Sequence, residues 1–291
     1  MAVEALVFEQ SSAPGPGVLD GRILELGRPR VEIGPVLIDR VDLTRATERI
    51  RGFLRSGSPH QIVTVNLDFL SIAERNPSFR ETINQADLAV ADGMPLVWLS
   101  RLQSQPLVQR ITGNELVDES CRLAARSGQG VFLLGAAPGV ADAAARVLRE
   151  RHRGLRVVGV YSPPFGQQSA DEDDRIVQMI RDAAPGLLFV AFGAPRQDLW
   201  IRAHFDELNV PVAMGVGCAF DLLAGAVSRA PAWMQQTGLE WSYRLAQEPG
   251  RLWRRYIVQD MPMLARLALG CLRRDRPSLK AVPKTPIGTP A

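Results

Sequence analysis

From about Val31 to Met214 the chain alternates short apolar runs with longer amphipathic stretches. The runs Ile62–Val65, Leu88–Ala91, Val131–Leu134, Leu155–Val160, Leu187–Phe192 and Val212–Met214 are short, β-branched or aliphatic, and predict buried strands. Between them, Leu43–Leu54, Asn114–Arg126, Val140–Arg151, Asp171–Ala183 and Arg196–Leu208 carry the apolar spacing of helices, and Asn114 is a capping-type residue. Strand and helix in alternation predict an α/β domain over residues 31–230: a mostly parallel, Rossmann-like sheet with helices on both faces. From Pro231 the pattern becomes helix alone, dense in Trp and Arg, which predicts a separable C-terminal helical appendage over 231–274. Residues 1–30 (with S-S-A-P-G-P-G) and 275–291 (with four prolines) read as a poorly ordered lead-in and tail.

Candidate chemistry sits where the apolar runs stop. Ile62–Val65 delivers Thr64 and Asn66, Leu88–Ala91 delivers Asp92 and Gly93, and Arg110 follows in a loop. Open α/β sheets bind ligands outside the carboxyl ends of their strands, so Thr64, Asn66 and Asp92 are expected to converge on one crevice, with Arg110 supplied from the loop. Taken singly, each Asx residue also suits a turn or a helix N-cap. Gly135-Ala-Ala-Pro-Gly139 can present backbone N–H groups to a phosphate or serve as an ordinary tight loop. Gly215-Val-Gly217 permits close backbone approach to a nucleotide. It lacks the third glycine of a dinucleotide fingerprint, which speaks against a nicotinamide site. Asp171-Glu-Asp173 has the D-x-D form of a cation clamp, but it opens a helix, where acids complement the dipole, so no metal site is expected.

Bulk properties narrow the setting. The 291 residues can bury a sizeable core, and the formal charge of +3 says little by itself. Between Arg229 and Arg276, however, nine arginines face four acids. Cys121, Cys218 and Cys271 lack metal or disulfide spacing, and His60, His152 and His204 stand apart. No secretory signal and no run of about 18 apolar residues is visible. G-x-S-x-G, H-E-x-x-H and Walker patterns are absent, which removes the commonest hydrolase and ATPase classes.

In order along the chain, T-V-N, A-D-G-M, R-I-T-G, V-A-F-G-A-P-R-Q-D, G-V-G-C-A-F-D and R-A-P-A-W-M-Q-Q-T-G-L-E-W resemble the WecG/TagA/CpsF family of bacterial glycosyltransferases, from about Val31 to Tyr256. The resemblance implies inverting, metal-independent transfer from a UDP-sugar (N-acetylmannosamine-type, glucose or uronic acid) to an undecaprenyl-diphosphate-linked saccharide. It implies a peripheral protein on the cytoplasmic face of the membrane, serving teichoic acid, enterobacterial common antigen or exopolysaccharide synthesis. It makes Asp92 the base, with Thr64, Asn66 and Arg110 beside it. It gives Gln197 a phosphate or sugar contact, Asp221 the uracil, and either Tyr161 or Phe165 the base stack. Arg244, Arg251 and Arg254 would reach the diphosphate from the appendage, which also closes over the site. No cofactor and no nucleic-acid partner are implied, and homo-oligomerisation is left open. A nicotinamide-dependent oxidoreductase built on G-V-G-C-A-F, or a non-catalytic nucleotide- or lipid-binding module, are the alternatives.

Overall fold

The computed structural model describes residues 28–103, 106–164 and 169–274. The expected tail, Phe165 and nearly all of the expected lead-in lie outside them. The chain opens with a hairpin, β1 (Arg30–Ile33) and β2 (Val36–Asp39), around a turn at Gly34. It continues through α1 (Leu43–Ser56), β3 (Gln61–Val65), α2 (Leu67–Arg75), α3 (Pro77–Gln85), β4 (Leu88–Ala91) and α4 (Met94–Ser100). Next come α5 (Gly113–Ser127), β5 (Gly130–Gly135), α6 (Val140–Arg151), β6 (Arg156–Tyr161), α7 (Ala170–Ala183) and β7 (Leu187–Ala191). Helices α8 (Arg196–Ala203) and α9 (Phe205–Leu208), strand β8 (Val212–Gly215) and α10 (Ala219–Leu223) close the α/β part. The helical region comprises α11 (Ala232–Gln236), α12 (Glu240–Gln247), α13 (Pro249–Trp253), a π-helical segment Arg254–Asp260 and α14 (Met261–Arg274).

Strands β3 to β8 form one parallel sheet in the order β4-β3-β8-β7-β5-β6. Period-two alternation distributes its side chains to two faces. Ile62, Leu88, Val90, Leu133 and Met214 pack with α1, α5 and α6, through Ile50, Leu116 and Leu148. On the opposite face Val63, Val65 and Ala89 meet Leu70, Phe79 and Leu96, while Phe132, Leu134 and Val190 meet Ile176, Ile180 and Trp200. Burial on both faces explains why the strands read as continuous apolar runs.

The hairpin β1–β2 protects one sheet edge. Asp39, 2 % exposed, accepts the Ala89 N–H at 2.8 Å and is neutralised by Arg28 and Arg49 at 2.7 and 2.9 Å. An edge donor of β4 is thus satisfied without another strand. Arg28, within the stretch 1–30 expected as a lead-in, is among the described residues and takes part in this cluster. Helix Arg196–Leu208 is broken at His204. The C-terminal helices are also less separable than their composition suggests. Met263 is buried against the second core cluster, with Leu264 and Leu267 packed beside it, so removing α14 would uncover apolar surface.

Candidate active site

The register of β3 and β4 builds the centre of the site. Val65 pairs with Ala91, so Asn66 and Asp92 emerge side by side at the carboxyl ends of adjacent strands. The loop before α5 then runs along β4. The Ile111 N–H donates to Ala91 O at 2.9 Å, which fixes Arg110 next to Asp92. Asn66, Asp92 and Arg110 line one cleft, as the strand-end pattern implies. Thr64 is buried behind them, and a Cβ on Gly113 would lie 3.6 Å from Asp92 Oδ2 and 3.7 Å from Thr64 Oγ1. Its hydroxyl thus shares a neighbour with the Asp92 carboxylate without itself lining the cleft.

Asp92 stands at the N-terminus of α5. Thr112 and Glu115 form a capping box there, and the Gly113 N–H donates to Asp92 Oδ2 at 3.1 Å. A helix N-terminus favours a carboxylate anion. Desolvation outweighs it: burial raises the Asp92 pKa to about 6, with the Gly113 bond and Arg110 opposing, and Glu240 and Glu115 adding to the rise. A carboxyl held near neutrality is suited to accepting a proton. Asn66 also caps α2, its Oδ1 accepting from the Phe69 N–H at 3.1 Å, so the structural reading and the cleft-lining position coexist.

The far wall comes from the C-terminal helices: Glu240, Trp241 and Arg244 of α12, then Arg255, Tyr256 and Asp260. Arg110 Nη1 lies 3.3 Å from Glu240 Oε2, and Arg244 Nη2 donates to Cys218 Sγ at 3.1 Å. Arg255 pairs with Asp68 at 3.2 Å and approaches Asp260 at 4.0 Å. Burial, then Asp68, pushes Asp260 up to about 7 against the pull of Arg255. The arginine assignment from sequence is corrected here. Arg244 lines the cleft, but Arg254 is exposed to solvent and does not, while Arg255 does. The cause is helical phase: the π-helical turn brings Tyr256 and Asp260 inward and sends Arg254, Ile257 and Val258 outward. Arg251 lies in α13, whose backbone alone is described at that position. The aromatics divide likewise. Trp233 and Trp253 are exposed, whereas Trp241 and Tyr256 meet edge to face at 6.0 Å in the cleft wall.

The other described candidates, Gln197, Asp221, Gly135, Gly215, Gly217 and Tyr161, lie at or after the carboxyl ends of β5 to β8, outside the cleft. Gln197 is 2 % exposed, and its Oε1 accepts from the Gly193 and Gly217 N–H groups at 3.2 and 3.0 Å. In this arrangement its amide braces two strand-end loops and does not face solvent. Gly215 is required by that brace: a Cβ there would come within 2.5 Å of Gln197 Nε2 and 2.6 Å of Asp198 Oδ1. At Gly135 a Cβ would lie 2.7 Å from Ala191 O, so this glycine permits close approach of β5 and β7. Gly217 adopts φ +53°, a left-handed conformation. Tyr161 donates its hydroxyl to Glu172 at 2.5 Å, and Asp221 lies half-buried in the first turn of α10. Among the described residues β8 is the last strand, and the helix that follows it has five residues. The D-x-D triplet is the first turn of α7, capped by Ser169, and Asp173 accepts from the Trp200 indole at 2.8 Å.

Sequence reasoning missed Glu240, Asp68 and Asp260 as cleft residues. The G-L-E-W motif contains Glu240, but nothing in its spacing shows that it crosses to Arg110.

Comparison with known proteins places the chain in a family. The model of the glycosyl transferase WecG/TagA/CpsF family matches residues 31–277. An N-acetylglucosaminyldiphosphoundecaprenol N-acetyl-beta-D-mannosaminyltransferase of Staphylococcus aureus (strain MW2) is 34 % identical over 227 residues, covering 77 % of this chain and 87 % of that protein. The enzyme of the same name from Staphylococcus aureus (strain NCTC 8325 / PS 47) is 35 % identical over 217 residues, covering 74 % of this chain and 84 % of that protein. A strand-end carboxylate, an arginine beside it and a helical wall across the cleft thus occur within a family match that spans the whole α/β unit and the helices after it: the chain belongs to the WecG/TagA/CpsF family of glycosyl transferases.

Proposed function

We propose that this glycosyl transferase moves a sugar, N-acetylmannosamine in the first instance, from UDP to a hydroxyl of an undecaprenyl-diphosphate-linked saccharide, with inversion at the anomeric carbon. The observation that carries this reading is Asp92, raised by burial to about 6 against the pull of the Gly113 N–H and Arg110, in a cleft that the C-terminal helices complete. The relatives' names supply the acceptor class and the sugar. As the acceptor oxygen bonds to the anomeric carbon, its proton passes to Asp92 and the bond from that carbon to UDP oxygen breaks. Arg110 and Arg244 are placed to stabilise charge developing on the departing diphosphate. Because the base works ionised, kcat/KM should fall as pH drops through about 6. Asp260 titrates nearby, so the assignment requires that Asp260→Asn keep this acid limb.

Transfer should survive EDTA without added metal, since the D-x-D triplet is engaged as a helix start. Complete loss on chelation, restored by magnesium or manganese, would overturn that part of the reading. The active-site test is turnover of the Asp92→Asn protein with UDP-sugar and lipid-linked acceptor.

The membrane surface is the second element of the proposal. Among the described residues, no helix is long and apolar enough to cross a membrane. Yet among the described residues most of the large apolar side chains that are exposed belong to the C-terminal helical region: Trp233, Leu239, Trp253, Ile257, Val258 and Leu269. Apolar side chains beside arginines suit an interface with anionic head groups. Contact there would bring the cleft wall to the place where a lipid-linked acceptor resides.

A further inference from the structure

Glu240 pairs with one arginine that the proposed reaction needs and shares helix α12 with another. Its carboxylate lies 3.3 Å from Arg110 Nη1, the two side chains being 28 % and 16 % exposed. Arg244 is one helical turn further along α12, the i,i+4 spacing at which opposite charges on a helix attract. All three side chains line the cleft. Glu240 is also one of the charges that hold Asp92 up, so its carboxylate acts across the centre of the site. It comes from a helix with no fully buried residue, so α12 rests on contacts such as this pair, the Arg244–Cys218 bond and the Trp241–Tyr256 edge.

We propose that Glu240 is an internal counter-ion: it holds Arg110 and Arg244 in the cleft before substrate arrives, and gives them up to the diphosphate of the incoming ligand. The physical case is competition. A carboxylate and a diphosphate both satisfy guanidinium groups, and two arginines lining one partly desolvated cleft repel when no anion is near them. Glu240 removes that repulsion in the free protein and seats α12 against the α/β unit through Arg110. When a diphosphate enters, the same carboxylate becomes a like charge beside it. Glu240 is therefore a positioning residue, with an opposing effect on affinity. The inference rests on the reading that the cleft takes a diphosphate, which both the donor and the lipid-linked acceptor carry.

The experiment is calorimetric titration of the full chain and of its Glu240→Gln and Glu240→Asp variants with UDP and, separately, with farnesyl diphosphate. Glu240→Gln keeps the shape and an acceptor for Arg110 but removes the charge. It should bind at least one of the two ligands about two- to fivefold more tightly than wild type, the range of a half-exposed ion pair. Glu240→Asp, which keeps the charge, should bind like wild type. Tightening with UDP alone assigns the contact to the donor diphosphate, and tightening with farnesyl diphosphate alone assigns it to the acceptor. Weaker or unchanged binding of both ligands by Glu240→Gln, with wild type binding normally, would overturn the proposal. Failure of wild type to bind either ligand would overturn the diphosphate reading as well. Thermal melts of each variant guard against misfolding, and Glu240→Ala, should Glu240→Gln unfold, tests the same loss of charge.

Discussion

Asp92→Asn should abolish transfer while leaving UDP affinity nearly unchanged. Loss of a general base costs about 10²- to 10⁴-fold in rate. The substituted amide is isosteric and can still accept from the Gly113 N–H, so the local structure has no reason to change. Stability gives an independent control. The folded protein holds the Asp92 proton more tightly than the unfolded chain, because the pKa is raised to about 6. That stabilising contribution is present at low pH and is lost as pH rises through about 6. Above this range the ionised carboxylate disfavours folding, and the amide removes the penalty. At pH 8 (roughly two units above that pKa) the melting temperature of the variant should therefore equal or exceed that of wild type. A variant that is inactive because it is unfolded would melt lower. If more than about a tenth of the activity remained, the assignment of Asp92 as base would be wrong.

Replacing Trp253, Ile257 and Val258 together by serine should weaken binding to anionic liposomes by more than about tenfold, since each side chain contributes on the order of 1 kcal/mol or more when buried in an interface. All three are exposed and belong to the α13–π-helical stretch, so their loss removes no core contact. Turnover with a short-chain acceptor in detergent should be kept, because the cleft side of the same stretch is formed by Arg255, Tyr256 and Asp260. Wild-type binding should weaken with salt, reporting the arginine contribution. Co-sedimentation with vesicles of anionic and neutral lipid measures both effects. Equal liposome binding by the two proteins would sink the membrane contact and leave the exposed residues to an oligomer interface.

The parallel sheet was legible because its strands are buried on both faces: runs such as Ile62–Val65 and Leu187–Phe192 have no other ready explanation at that length. The hairpin β1–β2 was less visible. It is short, and its role depends on Asp39 reaching an edge amide more than 40 residues away. Asn66 and Asp92 could be placed in one cleft from sequence because strand ends fix where their side chains emerge, whereas Arg110 joins them from the loop that runs along β4. The C-terminal contribution could not be read that way. A π-helical turn changes the phase by which arginines face inward, so Arg255 takes the cleft position and Arg254 faces solvent. Gln197 shows the other limit. Its motif implies a substrate contact by resemblance, whereas in the structure its buried amide oxygen accepts from two backbone donors and braces the loops at Gly193 and Gly217.

The most direct measurement is mass and linkage analysis of the lipid product formed by the purified protein from a panel of UDP-sugars and a prenyl-diphosphate-linked N-acetylglucosamine. The account predicts that UDP-N-acetylmannosamine extends the acceptor by one N-acetylhexosamine in β linkage, inverted relative to the donor. No extension with any UDP-sugar, or a product that retains the donor's anomeric configuration, would contradict it.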